Sequence, residues 1–349
     1  MRRPREARGP DSQRERGAAL LAVLILVAIT GAIAAASLER LRLSRALALN
    51  VVSVDQARLF GNAAEQLGML IIDDLIAIDR SKTTLAGGWN GATRRVPMPG
   101  GGLIEARVRD GGNCFNINSV VQGTAREGLS RRPTGVEQFN GLMVLTGVPA
   151  GEARRIAEAA ADWADSDNVT APGGAEDEAY AGGQQPYRTG NTLFGDVSEL
   201  RALAGMTPQT FERIRPFLCV LPVSDLSPIN LNTLLPNQAL LVAMLAPGQL
   251  SEAGARRILA LRPPGGWNNP TEFWRNEALS ALGVPLDAQQ QPQVKTGWFV
   301  LDIRSSVGET EFYQTSLVDA RLQPSKLVQR RWERDAGGGV AAVPVPGAK

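Results

Sequence analysis

The run from Ala18 to Leu38 holds twenty-one residues without a charge, close to the start of a 349-residue chain. A helix of that length reaches across a bilayer core of about 30 Å. The seventeen residues before it carry six arginines, Arg2, Arg3, Arg5, Arg8, Arg14 and Arg16, against three acids. An excess of positive charge keeps that flank in the cytoplasm and sends the body across the membrane. A secretory signal peptide has a shorter apolar region with a small-x-small cleavage site after it. Here the only sharp boundary precedes the run, at Arg16-Gly17-Ala18.

Beyond the run no proline occurs until Pro97, and Leu38, Leu41, Leu59, Ala63, Leu67, Leu70, Ile71, Leu75 and Ile78 recur largely at spacings of three and four. This predicts one helix from Ala18 to about Ile78, apolar all round in its first half and amphipathic in its second. At 1.5 Å per residue it is roughly 90 Å long. The remaining chain, in a protein that is 44% hydrophobic, is enough for one large or two ordinary domains. The net charge of +2 is too small to argue for a nucleic-acid partner, and there is no histidine. Ser-His-Asp and Cys-His nucleophile pairs and histidine-based zinc sites are therefore excluded. No accompanying nucleophile, metal triad or cofactor loop supports an enzyme. The two cysteines, Cys114 and Cys219, suggest one disulfide in an exported body; two unpaired buried thiols are the alternative.

"AGGWNGATRRVPMPGGG" (86–102) reads as a loop. "GLIEARVRD" (102–110) alternates as a strand does, and "NCFNINSVV" (113–121) reads as its hairpin partner across Asp110-Gly111-Gly112. Helical stretches follow at 135–147 and 150–164, then a loop from Asp165 to about Phe194. Residues 196–218 read as helix, turn, helix, with Val197, Leu200, Leu203, Phe211 and Ile214 inward and Gly205 as a cap. Three more short helices precede two long antiparallel strands that turn at Val307-Gly308-Glu309, with a third strand around Leu327–Trp332. No internal repeat is evident. The fold class is α+β: a spike helix and an antiparallel sheet, with a large, mainly helical domain inserted between strands. Its expected parts are a basic leader (1–17), the helix (18–80), sheet segments (81–124 and 291–335), the insert (125–290) and a disordered tail (336–349).

Residues 152–180 contain eight acids and two arginines. Calcium takes six to eight oxygens from flexible loops. Asp165-Ser166-Asp167 places two carboxylates on one side of a turn, and Pro172-Gly173-Gly174 folds Glu176 and Asp177 back toward them. Asp162 is a further candidate ligand, or else caps a helix or pairs with Arg154 or Arg155. The spacing leaves two readings open, a calcium site and a solvated acidic loop. "LLPNQALLVAMLAPGQLSEAGARRILALR" resembles a helix-hairpin-helix. Its turn, Ala246-Pro247-Gly248-Gln249, has one glycine where phosphate-binding hairpins commonly use two, and two packed helices explain it better.

The basic leader, the glycine, the long helix and the C-terminal sheet resemble a type IV pilin-like protein. The resemblance implies cleavage between Gly17 and Ala18 by a prepilin peptidase, methylation of Ala18 and retention of the apolar helix. Most pilins carry Glu as the fifth mature residue; here that position is Ala22. This absence, with "ADWADSDNVTAPGGAEDEAYAGGQQPYRTGNTLFGDVSELRALAGM" (161–206), "CFNINSV" and "INLNTLLPNQALLVAML", is similar to the K minor pseudopilins of type II secretion, over about residues 14–320. It implies a tip subunit of the pseudopilus that initiates assembly and caps the filament. It also implies a single-pass protein of the inner membrane of a Gram-negative cell, with its body in the periplasm. The partners implied are minor pseudopilins I and J, the major pseudopilin, the prepilin peptidase and the inner-membrane secretion platform, with calcium as a structural cofactor and no nucleic acid. The rival readings are a minor pilin of a surface type IV pilus and a membrane-tethered helix-hairpin-helix DNA receptor.

Overall fold

The computed structural model describes residues 11–182 and 186–332. In chain order, α1 (Asp11–Ile78) leads to β1 (Thr93–Met98) and β2 (Gly102–Asp110). There follow β3 (Phe115–Asn116), β4 (Val121–Thr124), β5 (Gly128–Arg131), α2 (Pro133–Leu145), α3 (Ala150–Ala164), α4 (Asp177–Tyr180), α5 (Pro208–Ile214), β6 (Leu218–Cys219) and β7 (Ile229–Asn230). Then come α6 (Ala239–Ala243), α7 (Glu252–Ala260), α8 (Pro270–Trp274), α9 (Glu277–Ser280), β8 (Pro292–Gln293), β9 (Trp298–Val307), β10 (Thr310–Asp319) and β11 (Lys326–Arg331).

The main sheet is antiparallel in the order β1-β2-β9-β10-β11. Gly102 pairs with Val307 and Asp110 with Phe299, so β2 and β9 are neighbours although everything from β3 to β8 lies between them. The fold is the α+β arrangement expected, with the helical part inserted between adjacent strands. The helix α1 lies on the sheet face that carries Phe299, Leu301 and Ile303. It makes that contact with Ala57, Ala64, Ile72 and Ile76, all buried. Gly61 and Gly68 fall on the same face, where a Cβ would meet Phe312 at 3.0 Å and Leu301 at 2.9 Å. The larger apolar residues Leu59, Leu67 and Leu70 face away from the sheet and stay about 60% exposed. Glu65, fully buried at the interface, accepts hydrogen bonds from Arg330 Nε (2.9 Å), Ser316 Oγ (2.5 Å) and Gln314 Nε2 (2.5 Å).

Four expectations need correction. The helix begins at Asp11, not Ala18, because the polar residues before Gly17 are themselves helix formers. The stretch expected as loop 86–102 contains β1, an edge strand, where a proline such as Pro97 is tolerated. Residues 113–121 do not form a hairpin with β2. They provide β3 and a 3-10 turn at Ile117–Val120, buried on all sides, with β3 parallel to β6. Residues Val197–Ala202 form a 3-10 rather than an α-helix, although Val197, Leu200, Leu203, Phe211 and Ile214 are all buried. The expected tail, 336–349, and residues 1–10 of the leader lie outside the described residues.

An internal repeat is also present. Asn116 Oδ1 accepts from the Asn118 N–H, and Asn118 binds the N–H and C=O of Phe194 with its amide. In the same way Asn230 Oδ1 accepts from the Asn232 N–H, and Asn232 binds the N–H and C=O of Trp267. Each Asn-x-Asn follows the start of a short parallel pair, β3 with β6 and β7 with β8. Each is followed by a helical hairpin whose second helix carries Arg-Arg-Ile, at 154–156 in α3 and 256–258 in α7. The insert is thus two modules built on one plan. At the first module's neck Cys114 and Cys219 are disulfide-bonded, with Cα atoms 5.7 Å apart.

Candidate functional site

The acidic loop is built from the C-terminal end of α3. Glu158 and Asp162 lie four residues apart and so share one helix face, Asp165 follows as the extended residue that ends the helix, and Ile156, Ala157 and Ala160 fill the core. Glu158 is buried and neutralised by Arg131 (2.7 Å) and Arg154 (2.9 Å). Asp162 pairs with neither Arg154 nor Arg155; its carboxylate accepts the backbone N–H groups of Ala171 (3.1 Å) and Ala175. A Cβ at Gly174 would overlap that carboxylate, so a glycine there lets the loop close over Asp162. Ser166 fastens the other side, donating its N–H to the Leu129 carbonyl and accepting the Leu129 N–H at 2.8 Å.

This closure brings Asp165, Asp167 and Glu176 together, with one carboxylate oxygen from each within 4.8 Å of the others. Asp165 and Glu176 are each 4% exposed, while Asp167 reaches the surface. Burial and the adjacent carboxylates of Asp167, Asp162 and Glu176 push the Asp165 carboxyl up to about 7. Burial and Asp162 raise Glu176 as well. Asp165 Oδ1 and Glu176 Oε1 are buried and accept no hydrogen bond from the described residues. Buried carboxylates in mutual repulsion, with unsatisfied oxygens, fit a hard cation that takes oxygen ligands. Asp177 turns elsewhere: its Oδ1 accepts the Thr189 N–H and hydroxyl, both at 2.9 Å, and those bonds hold it below the usual carboxylate range.

Trp163 stands beneath the loop, in contact with the rings of Tyr180 (5.5 Å), Tyr187 (6.1 Å) and Phe194 (6.5 Å). Sequence reasoning missed this aromatic floor; the signal available was the Trp beside Asp162 and the aromatics downstream. In the second module, Pro247 at the hairpin turn seats against Gly141 of α2. Arg262 donates to the carbonyls of Leu231 and Leu234 (3.0 and 2.8 Å), and Arg256 pairs with Glu252. The hairpin is a packing element of the insert.

At the other end of the molecule Gly17, Ala18 and Ala22 are exposed within the first turns of α1. The stretch from Gly17 onward is the one helix among the described residues long and apolar enough to cross a membrane. From Gly17 to Val52 every residue is exposed, so the helix projects free of the body over that length.

Two family profiles, both described as type II secretion system protein K, match residues 113–223 and 229–296. Their limits fall close to those of the two modules. Type II secretion system protein K of Pectobacterium carotovorum is 32% identical over 320 residues, covering 91% of this chain and 97% of that protein. Its counterpart in Dickeya chrysanthemi is 32% identical over 353 residues, covering 92% and 98%. The crystal structure of the GspK-GspI-GspJ complex from the enterotoxigenic Escherichia coli type 2 secretion system contains a chain that superposes with a TM-score of 0.69 at 27% identity, covering 80% of this chain and 96% of that one. With these likenesses spread over the helix, the sheet and both modules, the chain belongs to the type II secretion system protein K family.

Proposed function

We propose that this chain is a non-enzymatic minor pseudopilin at the periplasmic tip of the type II secretion pseudopilus, where it initiates assembly and caps the filament. The observation that carries the reading is the unpartnered apolar stripe on α1. Leu41, Leu49, Val52, Leu59, Leu67 and Leu70 recur at helical spacing on the side turned away from the sheet, each more than half exposed. Such a stripe suits packing against neighbouring pilin-like helices below. In this reading the bulky two-module insert blocks the addition of a subunit above. Ala22 fits the same position, since a subunit with nothing above it needs no buried carboxylate to receive the next subunit's N-terminal amine.

In this reading a prepilin peptidase cuts between Gly17 and Ala18, Ala18 is methylated, and the helix anchors the chain in the inner membrane until assembly on the secretion platform, where the major pseudopilin is added beneath it. The companions are minor pseudopilins I and J, in keeping with the GspK-GspI-GspJ assembly of the relative. Asp165, Asp167 and Glu176 hold calcium, which supplies the positive charge that lets three carboxylates ionise side by side. Asp162 holds the loop closed around them. The test is co-purification of this chain with its own system's I and J pseudopilins, in calcium and in chelator. A ternary complex that calcium strengthens supports both tip and metal. A complex indifferent to calcium removes the metal from assembly, and no complex from a folded chain removes the tip reading.

A further inference from the structure

Arg40, Arg42 and Arg45 form a short basic collar immediately above the apolar run. All three are exposed. Arg42 approaches Glu39 at 3.7 Å, and Arg40 and Arg45 enter no ion pair among the described residues. The first fully buried residue of α1 is Ala57, about 18 Å farther along the helix, so the folded body does not reach the collar.

Height and direction identify what does. The run from Ala18 to Leu38 rises about 30 Å, the thickness of the hydrocarbon core. The collar then occupies the next ~3 to 10 Å, which is the depth of the headgroup layer. At roughly 100° per residue, Arg42 and Arg45 project from one side of the helix and Arg40 from the other. A protein partner docks on one face; a layer of lipid headgroups surrounds the helix. Leu41 and Leu43, exposed between the arginines, suit the boundary between acyl chain and headgroup, and guanidinium groups pair with phosphate in two-point geometry.

We infer that Arg40, Arg42 and Arg45 bind the phosphates of anionic phospholipids in the periplasmic leaflet, and so set the height at which the anchor rests before assembly. This rests on the anchor reading above. Collar charges near an anionic surface are worth about five-fold in lipid preference for each arginine engaged. The test reconstitutes the full chain in nanodiscs of phosphatidylcholine with a minority of phosphatidylglycerol and counts the lipids it retains by native mass spectrometry. The wild type should retain phosphatidylglycerol at least about five-fold above the bulk ratio. The triple variant Arg40→Gln, Arg42→Gln, Arg45→Gln should return to the bulk ratio, and Arg58→Gln, beyond the collar, should match the wild type. A wild type at the bulk ratio, or a triple variant that keeps the enrichment, overturns the inference. A parallel alkaline wash of vesicles separates the two readings. If the wild type washes off, the anchor itself is wrong and the collar falls with it; if it stays and retains no anionic lipid, only the collar is wrong.

Discussion

In chelator this protein should lose stability as pH rises from about 4 to about 7, opposite to what most carboxylates produce. The cause is Asp165, whose carboxyl is pushed up from an ordinary 3.8 to about 7 by burial and by Asp167, Asp162 and Glu176. Below pH 4 it is protonated in both the folded and the unfolded chain, and nothing is lost. Between the two values the unfolded chain releases the proton and the folded chain keeps it. Stability then drops by up to about 1.4 kcal/mol per pH unit, or at most about 4 kcal/mol in total, and levels off above 7. Glu176 and Asp162, also raised, act in the same direction. The carboxyls held low, Glu65 and Asp302 by arginines and Asp196 by Ser198 and Arg331, exert their opposite effect below the ordinary carboxylate range. Burial raises Asp110 too, outside the loop, so the loop's share is the difference between the calcium and chelator profiles. Calcium held at the loop as proposed should compensate the charge and flatten the profile. Because the ion must displace a proton, affinity should be about a hundred-fold weaker at pH 5 than above pH 7. Urea unfolding of the detergent-solubilised full chain, followed by tryptophan fluorescence in calcium and in chelator, reads both effects. Equal stabilisation by calcium at pH 5 and pH 8, or a chelated protein whose stability is flat through this window, would refute the reasoning.

Other perturbations separate the parts of the fold. Arg330→Ala strands the fully buried Glu65 and should cost about 3–5 kcal/mol in urea unfolding; replacing Glu65 and Arg330 together by apolar residues should recover part of it. Gly135→Ala places a methyl on the Ser119 carbonyl oxygen and should destabilise by roughly 1–3 kcal/mol. Gly151→Ala in α3 meets nothing within 4 Å and should stabilise by about 0.5–1 kcal/mol; a loss at Gly151 in the same assay would contradict the packing described. Reducing the Cys114–Cys219 bond, which closes a separation of 105 residues, should lower stability by about 2–5 kcal/mol, seen as a shift of the denaturation midpoint on adding dithiothreitol. Terbium in place of calcium should luminesce on excitation of Trp163, and Asp165→Asn with Glu176→Gln should abolish that signal while leaving circular dichroism unchanged.

What the sequence discloses here depends on how near a residue's partner lies along the chain. Asp165, Asp167 and Glu176 fall within twelve residues of one another, and local turn chemistry alone suggests that they converge. The outward stripe of α1 is legible because leucines carry a strong periodic signal. The inward face is not, since Ala57, Gly61, Ala64 and Gly68 contribute little hydropathy and are chosen for closeness to Leu301 and Phe312. Glu65 looks like a solvated charge until Arg330, 265 residues away, is placed beside it. The strand β1 was obscured by Pro97 and its flanking glycines, whose conformational cost an edge position tolerates. The tandem modules are not legible in the sequence because Asn-x-Asn and Arg-Arg-Ile stand at different separations in the two copies, and what the copies share is a hydrogen-bond pattern: one amide gripping both polar groups of a single distant residue, Phe194 in the first module and Trp267 in the second. An asparagine in such a grip satisfies a buried backbone on both sides at once, a requirement that depends on the assembled neck and leaves no periodic trace along the chain.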